Sequence, residues 1–302
     1  MDFMRIDRSS ARIAFLGLGK MGLPMASRLV AAGWTVAGFD PAPAAADAFA
    51  AAGGRAAPSA REAAERASVV VTMLPDGRAV RAVLAGAEGV AGHLAPGAIA
   101  IDMSSSAPVG TRELAHDLAG AGVTLLDAPV SGGVKRAVDG TLAIMVGGDK
   151  AAAAALRPLL ECLGASIFET GPIGSGHAMK ALNNYVSAAG LTAACEALRI
   201  GAAFGLDPGL MTDVLNVSTG RNNSTEVKLK PFVIPKTYAS GFSMALMAKD
   251  LRTADDLARH EGVPAPLSRA VASLWQEALD ELGTEADHTA IDAFLAALPA
   301  RE

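Results

Sequence analysis

Cysteine is almost absent. The 302-residue chain has two, Cys162 and Cys195, and no C-x-x-C pair. That argues against a disulfide scaffold and against a thiolate metal site, and it fits buried thiols in a reducing compartment. Histidine is also scarce, with five residues, and neither His177 nor His260 has the spacing of a metal-ligand set. Charge of one sign does not dominate: 26 lysines and arginines face 31 acids, for a net charge of −5. With no basic cluster to offset that balance, nothing favours a nucleic-acid partner. No window holds an uninterrupted apolar run long enough to cross a membrane. The opening residues, Met1 to Arg8, mix both charges and the apolar stretch that follows is broken by Lys20, so no signal peptide is expected. The expectation is a soluble, cytoplasmic protein. What the chain does have is small apolar bulk: 51% of its residues are hydrophobic and alanine is abundant. A sizeable core of closely packed helices follows.

The first half alternates short apolar runs with helical segments. Strands are expected at Ile13–Leu16, Thr35–Phe39, Ser68–Met73, Ala98–Asp102, Thr124–Asp127, Leu142–Val146 and Ser166–Thr170, with helices between them. Right-handed crossovers then give a mostly parallel sheet. After Gly171-Pro172 no convincing strand remains. Ser175 to Phe204 reads as one long helix of small residues ended by Gly205. Asp207-Pro208 restarts a helix with a cap and a proline at its first position. Residues 220–240 read as irregular, and helices follow at 242–261, 266–282 and 288–298. The fold class expected is an α/β Rossmann-type doubly wound domain over residues 1–172. An all-α domain over 173–302 follows it, the two joined by the long helix.

The first strand and helix meet at Gly17-Leu18-Gly19-Lys20-Met21-Gly22, a G-x-G-x-x-G turn. Gly17 permits the sharp bend, Gly19 lets a pyrophosphate approach the backbone, and Gly22 lets the helix pack close to the strand. The N–H groups at the helix start then face phosphate. Asp40 stands at the end of the second strand, where a carboxylate can accept both ribose hydroxyls. It would repel a 2′-phosphate, and Pro41-Ala-Pro-Ala offers no cation to hold one, so NAD is expected over NADP. Asp40 as a mere cap of the helix near Ala44 is the plainer alternative.

Ligands in such sheets bind at the carboxyl ends of the strands. Three further strand ends present turns there: Met73-Leu74-Pro75, Asp102-Met-Ser104, and Asp127-Ala-Pro-Val-Ser131-Gly132-Gly133. In the last, a hydroxyl stands beside glycine N–H groups, which suits a carboxylate. Lys180 and Asn184 lie i and i+4 on the long helix and share one face. A lysine so placed can move the proton of a hydroxyl during hydride transfer, given a lowered pKa; an ordinary exposed lysine is the alternative. Lys249-Asp250 is a last candidate, although adjacent residues on a helix are not expected to face each other. Ser131 lacks local partners for a hydrolase triad.

Four signatures in order, Phe15–Met25, Asp127–Gly133, Gly174-x-Gly-x-x-x-Lys180-x-x-Asn-Asn184 and Lys249-Asp250, resemble those of the β-hydroxyacid dehydrogenases. That group contains 3-hydroxyisobutyrate dehydrogenase and tartronate semialdehyde reductase, and the likeness runs from about residue 11 to 298. The resemblance implies an NAD-dependent oxidoreductase acting on a small 3-hydroxy acid or its semialdehyde. It implies that Ser131, Gly132 and Gly133 anchor the substrate carboxylate, that Lys180 is the general acid/base and that Asn184 positions the substrate. Lys249 would lie near nicotinamide and substrate, Phe242 would line the pocket, and Met73, Leu74, Pro75 and Ser104 would run along the cofactor. It further implies a homodimer or homotetramer, with the long helix at the contact. An NADPH-preferring semialdehyde reductase and a catalytically silent NAD-binding module are the alternatives. One segment, Gly220 to Lys228, departs from the family pattern. There Arg221, Asn222 and Asn223 either read a second polar group of the substrate or form a capped surface loop.

Overall fold

The computed structural model describes residues 6–299. The signal-peptide expectation at Met1 to Arg8 falls largely outside them. The chain forms two compact units, Met1–Lys180 and Ala181–Glu302.

The first unit is a sheet between helical layers. Its elements run β1 (Arg12–Leu16), α1 (Gly22–Ala31), β2 (Thr35–Phe39), α2 (Pro43–Ala51), β3 (Arg55–Ala56), α3 (Ala60–Ala64), β4 (Val69–Thr72), α4 (Gly77–Ala85), β5 (Ile99–Asp102) and α5 (Pro108–Gly120). They continue with β6 (Thr124–Asp127), β7 (Val130–Ser131), α6 (Gly133–Asp139), β8 (Leu142–Gly147), α7 (Lys150–Leu160) and β9 (Gly164–Gly171). The strand order is β3-β2-β1-β4-β5-β6-β8-β7, with β9 beside β8. Pairing is parallel from β3 to β6 and between β8 and β9, whereas β8 is antiparallel to β6 and β7.

Period-2 alternation sorts the central strands onto two cores. Ile13, Phe15, Val69, Val71, Ile99, Ile101 and Leu126 face Met25, Leu29, Leu156 and Leu159. Ala14, Leu16, Val70, Ala100 and Leu125 face Ala63, Val80, Leu84, Leu114 and Leu118. Both faces are thus buried, which is why these strands read as continuous apolar runs.

The structure corrects the turn expected at Asp127–Gly133. Asp127 pairs with Gly147, Val130 with Ile144 and Ser131 with Ala143, one unbroken antiparallel register. β6 and β7 are therefore a single strand that first pairs with β5 and then runs on to pair with β8, its assignment broken around Pro129, which has no N–H to give. Helix α6 then starts directly at Gly133. A two-residue strand and a helix of Gly-Val-Lys-Arg-Ala-Val-Asp carry no periodicity by which a sequence could announce them.

The second unit is helical. Helix α8 (Ser175–Phe204) begins in the first unit and carries into it, followed by α9 (Pro208–Val217), α10 (Asn223–Val227), α11 (Met244–His260), α12 (Pro266–Leu282) and α13 (Ile291–Ala297). Residues 220–240 are not simply irregular: α10 and a π-helical turn, Leu229–Val233, lie within them. Asn222 caps α10 by accepting from Ser224 N and Thr225 N, while Thr225 Oγ1 accepts from Asn222 N. Helix α11 starts two residues later than expected because Ser243 caps it, leaving Phe242 outside. The core centres on Trp275, surrounded by Leu191, Cys195, Met247, Leu251 and Phe294, and its indole N–H donates to Thr192 Oγ1 at 2.9 Å.

Asp287 ties the loop before α11 to the turn before α13. Its carboxylate accepts from Ser240 Oγ, Gly241 N, Thr289 N and Thr289 Oγ1. Burial alone would raise its pKa, but hydrogen bonds from His288, Thr289 and Ser240 outweigh that and hold it well below the usual carboxylate range. A carboxylate depressed in this way stabilises the fold at neutral pH, and the gain is lost as pH falls below the unfolded-state value of about 3.9. Asp287→Asn should therefore lower thermal stability at pH 7 and flatten the acid-induced loss of stability below about pH 4, read by calorimetry across pH.

Candidate active site

The carboxyl ends of β1, β4, β5 and β6 converge on one edge of the first unit, and most of the expected residues lie there. In the glycine turn, Gly17 has φ +98°. A Cβ on Gly22 would stand 1.9 Å from the Gly17 carbonyl oxygen, so helix α1 can start this close to the turn only with glycine there. Gly19 and Lys20 are exposed, Met21 is half-buried, and nothing lies within 4 Å of where a Gly19 Cβ would point. Helix α1 has no side-chain cap and no acid in its first turn. An open, uncapped helix start beside glycines fits a pyrophosphate, which would be held by the N–H groups of Gly19 to Gly22. Leu18 contributes backbone alone: its side chain is buried, and its N–H donates to Asp40 Oδ2 at 2.8 Å. Asp40 Oδ1 accepts from Ala42 N at 2.9 Å. Asp40 is thus not the cap of α2, whose N-cap residue is Ala42 without side-chain bonds. Each of its oxygens retains a lone pair for a ribose hydroxyl.

Beside the glycine turn, the Met73 carbonyl fills the space next to Gly17. Leu74 N donates to Ser104 Oγ at 2.9 Å, stitching the ends of β4 and β5 together. Leu74 is half-buried and Pro75 exposed. Beneath them lies a polar network that spacing did not reveal. Asp102 accepts from Thr72 Oγ1 and Ser104 N at 2.9 Å each and from Ser106 Oγ at 2.7 Å. Asp127 Oδ1 accepts from Gly174 N and Oδ2 from His177 N, both at 2.7 Å. A carboxylate from the end of β6 therefore caps helix α8 at its first turn. The approach is possible because Gly147 and Gly176 have no Cβ; one on Gly147 would stand 2.5 Å from Asp127 Oδ1, and one on Gly176 would stand 2.2 Å from Met145 O. His177 Nδ1 and Thr111 Oγ1 are 2.8 Å apart. Both aspartates ended expected strands, but a buried role for His177 has no signal in a single sequence.

Lys180 is half-buried on the turn of α8 after this anchor, and Asn184 is buried one turn further on. Ser131 is half-exposed, closing β7, and Gly132 and Gly133 are exposed with φ +134° and +69°. A Cβ on Gly132 would meet the Arg136 side chain at 2.5 Å. In the second unit, Asn184 Nδ2 donates to Asp250 Oδ2 at 2.6 Å, and Lys249 Nζ lies 3.0 Å from Asp250 Oδ1. This corrects the expectation that Lys249 and Asp250 do not face each other. Asp250, which sequence reasoning assigned no role, is the buried acceptor that holds both. Phe242 is half-buried and packs edge-on against His288, with ring centroids 5.6 Å apart. Arg221 pairs with Glu226 at 3.6 Å on the surface and Asn222 is used as a cap, so those two are engaged locally.

The first unit matches, over residues 12–171, a family model described as the NAD binding domain of 6-phosphogluconate dehydrogenase. Residues 174–295 match one described as NAD-binding of NADP-dependent 3-hydroxyisobutyrate dehydrogenase. The chain belongs to the β-hydroxyacid dehydrogenase family. The NAD-dependent L-serine dehydrogenase of Pseudomonas aeruginosa is 37% identical to this β-hydroxyacid dehydrogenase over 286 residues, covering 93% of the chain and 96% of the relative. The 2-(hydroxymethyl)glutarate dehydrogenase of Eubacterium barkeri is 36% identical over 267 residues, covering 88% and 89%. Among solved structures, 3-hydroxyisobutyrate dehydrogenase of Mycobacterium tuberculosis with L-serine superimposes with a TM-score of 0.88 at 39% identity, covering 94% of this chain and 99% of that one.

Asp250 gives a test of the buried polar cluster in the second unit. Lys249 is partly exposed, but removing Asp250 leaves the buried Asn184 amide without its acceptor, so Asp250→Ala should cost about 1–3 kcal/mol. Asp250→Asn, which keeps an acceptor for Asn184, should cost less. Urea unfolding of both variants checks the order; equal losses would show that Asn184 is not held through this acceptor.

Proposed function

We propose that this β-hydroxyacid dehydrogenase oxidises a small 3-hydroxy acid of the 3-hydroxyisobutyrate type, or reduces the corresponding semialdehyde, with NAD rather than NADP. The observation that carries the reading is the Asp127 anchor, which fixes the helix bearing Lys180 to the strand that continues into Ser131. Ser131 and the N–H groups of Gly132 and Gly133 take the substrate carboxylate. Lys180 accepts the hydroxyl proton when its amine is neutral, and it returns a proton in the reverse reaction. Asn184, its amide oriented by Asp250, holds the hydroxyl, and Lys249 and Phe242 line the site. NAD, bound at the Gly17–Gly22 turn, supplies the hydride acceptor for the hydroxyl-bearing carbon. Asp40 takes the ribose hydroxyls and repels a 2′-phosphate. Fixing the carboxylate before reaction sets the angle at which the C–H bond breaks.

The test is nicotinamide absorbance with purified protein and a panel of 3-hydroxyisobutyrate, L-serine, glycerate, L-threonate, 3-hydroxypropionate and 2-(hydroxymethyl)glutarate, each with NAD and with NADP. Lys180→Ala should lower kcat by about 10²–10⁴-fold while NAD binding by calorimetry stays intact. Retained turnover in that variant would overturn the role of Lys180.

The same proposal extends to assembly and location. Val186, Ile200 and Phe204 on α8 and Leu210, Val214 and Val217 on α9 are exposed, Phe204 by 85% and Val217 by 86%. Exposed apolar side chains on both helices support a homodimer or a homotetramer. Cytoplasmic location is supported by Cys162 and Cys195, both free thiols; among the described residues no helix is long and apolar enough to cross a membrane. Light scattering should give a multiple of the chain mass for the unmodified protein and a smaller mass for Phe204→Glu; an unchanged mass would remove this face from the contact.

A further inference from the structure

Lys228 lies in the segment from Gly220 onward, directly after α10. It ends α10, where the helix lies alongside α8. The close approach is visible at Gly190, where a Cβ would stand 3.4 Å from the Asn222 amide. Lys228 is half-buried, and its Nζ lies 3.2 Å from Ser187 Oγ on α8. Among the described residues its ammonium has no carboxylate in ion-pair range, and the hydroxyl is the only hydrogen-bond partner of Nζ. The acid that acts on it from further off, Asp287, is engaged by Ser240, Gly241 and Thr289. Burial lowers the Lys228 ammonium to about 8, against opposing pulls from Asp287 and Cys195, so it is still mostly charged at neutral pH. A partly desolvated cation with a single neutral partner is an arrangement completed by an incoming anion.

Its position says which anion. Lys180, Asn184 and Ser187 are i, i+4 and i+7 on α8, one stripe on a continuous helix. Lys228 therefore stands at the level of that stripe beyond Asn184, about 10 Å of helix rise from Lys180. We propose that Lys228 is the specificity-determining residue of this enzyme and pairs with a second acidic group at the far end of the hydroxy-acid substrate. This rests on the hydroxy-acid oxidation proposed above. It replaces Arg221 and Asn222, engaged elsewhere, as the group that reads the distal end.

The test compares acids differing only in that distal charge: 2-(hydroxymethyl)butanedioate against 2-(hydroxymethyl)butanoate, and the same pair lengthened by one methylene. The unmodified protein should favour the diacids in kcat/KM. Lys228→Met should reduce the diacid-to-monoacid ratio by about 10- to 100-fold, the worth of a hydrogen bond between charged groups. Lys228→Arg should restore part of it. A ratio near one in the unmodified protein, or a ratio unchanged in Lys228→Met, overturns the inference and leaves the proposed oxidation standing. Calorimetry with the NAD-loaded protein keeps the inference testable without turnover: glutarate should bind more tightly than butyrate, and Lys228→Met should abolish the difference. Equal binding of glutarate and butyrate overturns it. Absence of turnover on every hydroxy acid, with the glutarate preference present, sinks the proposed oxidation and not the anion site.

Discussion

The buried Asp127 carboxylate sets the geometry of the first unit's functional edge. It ends β6, and four residues on, the same strand delivers Ser131 as β7. Its two oxygens hold Gly174 N and His177 N, so the first turn of α8 is fixed to that strand. A charge with no solvent contact is tolerable only if its hydrogen bonds are satisfied, and here the unpaired amides of a thirty-residue helix satisfy it. Gly147 and Gly176 exist in this arrangement as space. A carboxylate, a helix start and two missing side chains together place Lys180 on the turn that follows.

The second unit solves an equivalent problem with Asp250. One oxygen takes the Asn184 amide and the other the Lys249 ammonium. Asn184 is thereby oriented: its Nδ2 is committed to Asp250, and its oxygen takes the amide N–H of Asn183 at 3.1 Å. An amide whose donor side is fixed has a defined polarity, which a helix position alone does not confer.

The sequence disclosed what depends on local grammar. β2, α8 and α12 fall where their patterns put them, because glycines and prolines stand at or near their ends. The glycine turn and Asp40 were legible because the spacing itself is the mechanism. Less legible was whatever depends on distant pairing. The continuation of β6 into β7 is defined by β8, about fifteen residues away. The contact between Lys249 and Asp250 is a matter of rotamers, and adjacent positions on a helix gave no reason to expect it. Lys228 lay unnoticed in a segment that looked irregular because a capped five-residue helix and a π-helical turn carry almost no periodic signal. The departure from the family pattern was visible there, but which of its residues mattered was not.

The bond from Leu18 N to Asp40 has a consequence for affinity. The carboxylate proposed to take the ribose hydroxyls also holds the glycine turn in shape through its own hydrogen bond. Apparent affinity is reduced by the fraction of molecules outside the binding-competent state. A turn held by this bond would keep that fraction small, so little of a dinucleotide's interaction energy would be diverted to ordering the loop. The same latch makes the ribose acid two-faced: its loss would weaken the choice between nucleotides and also loosen the cradle that receives either of them.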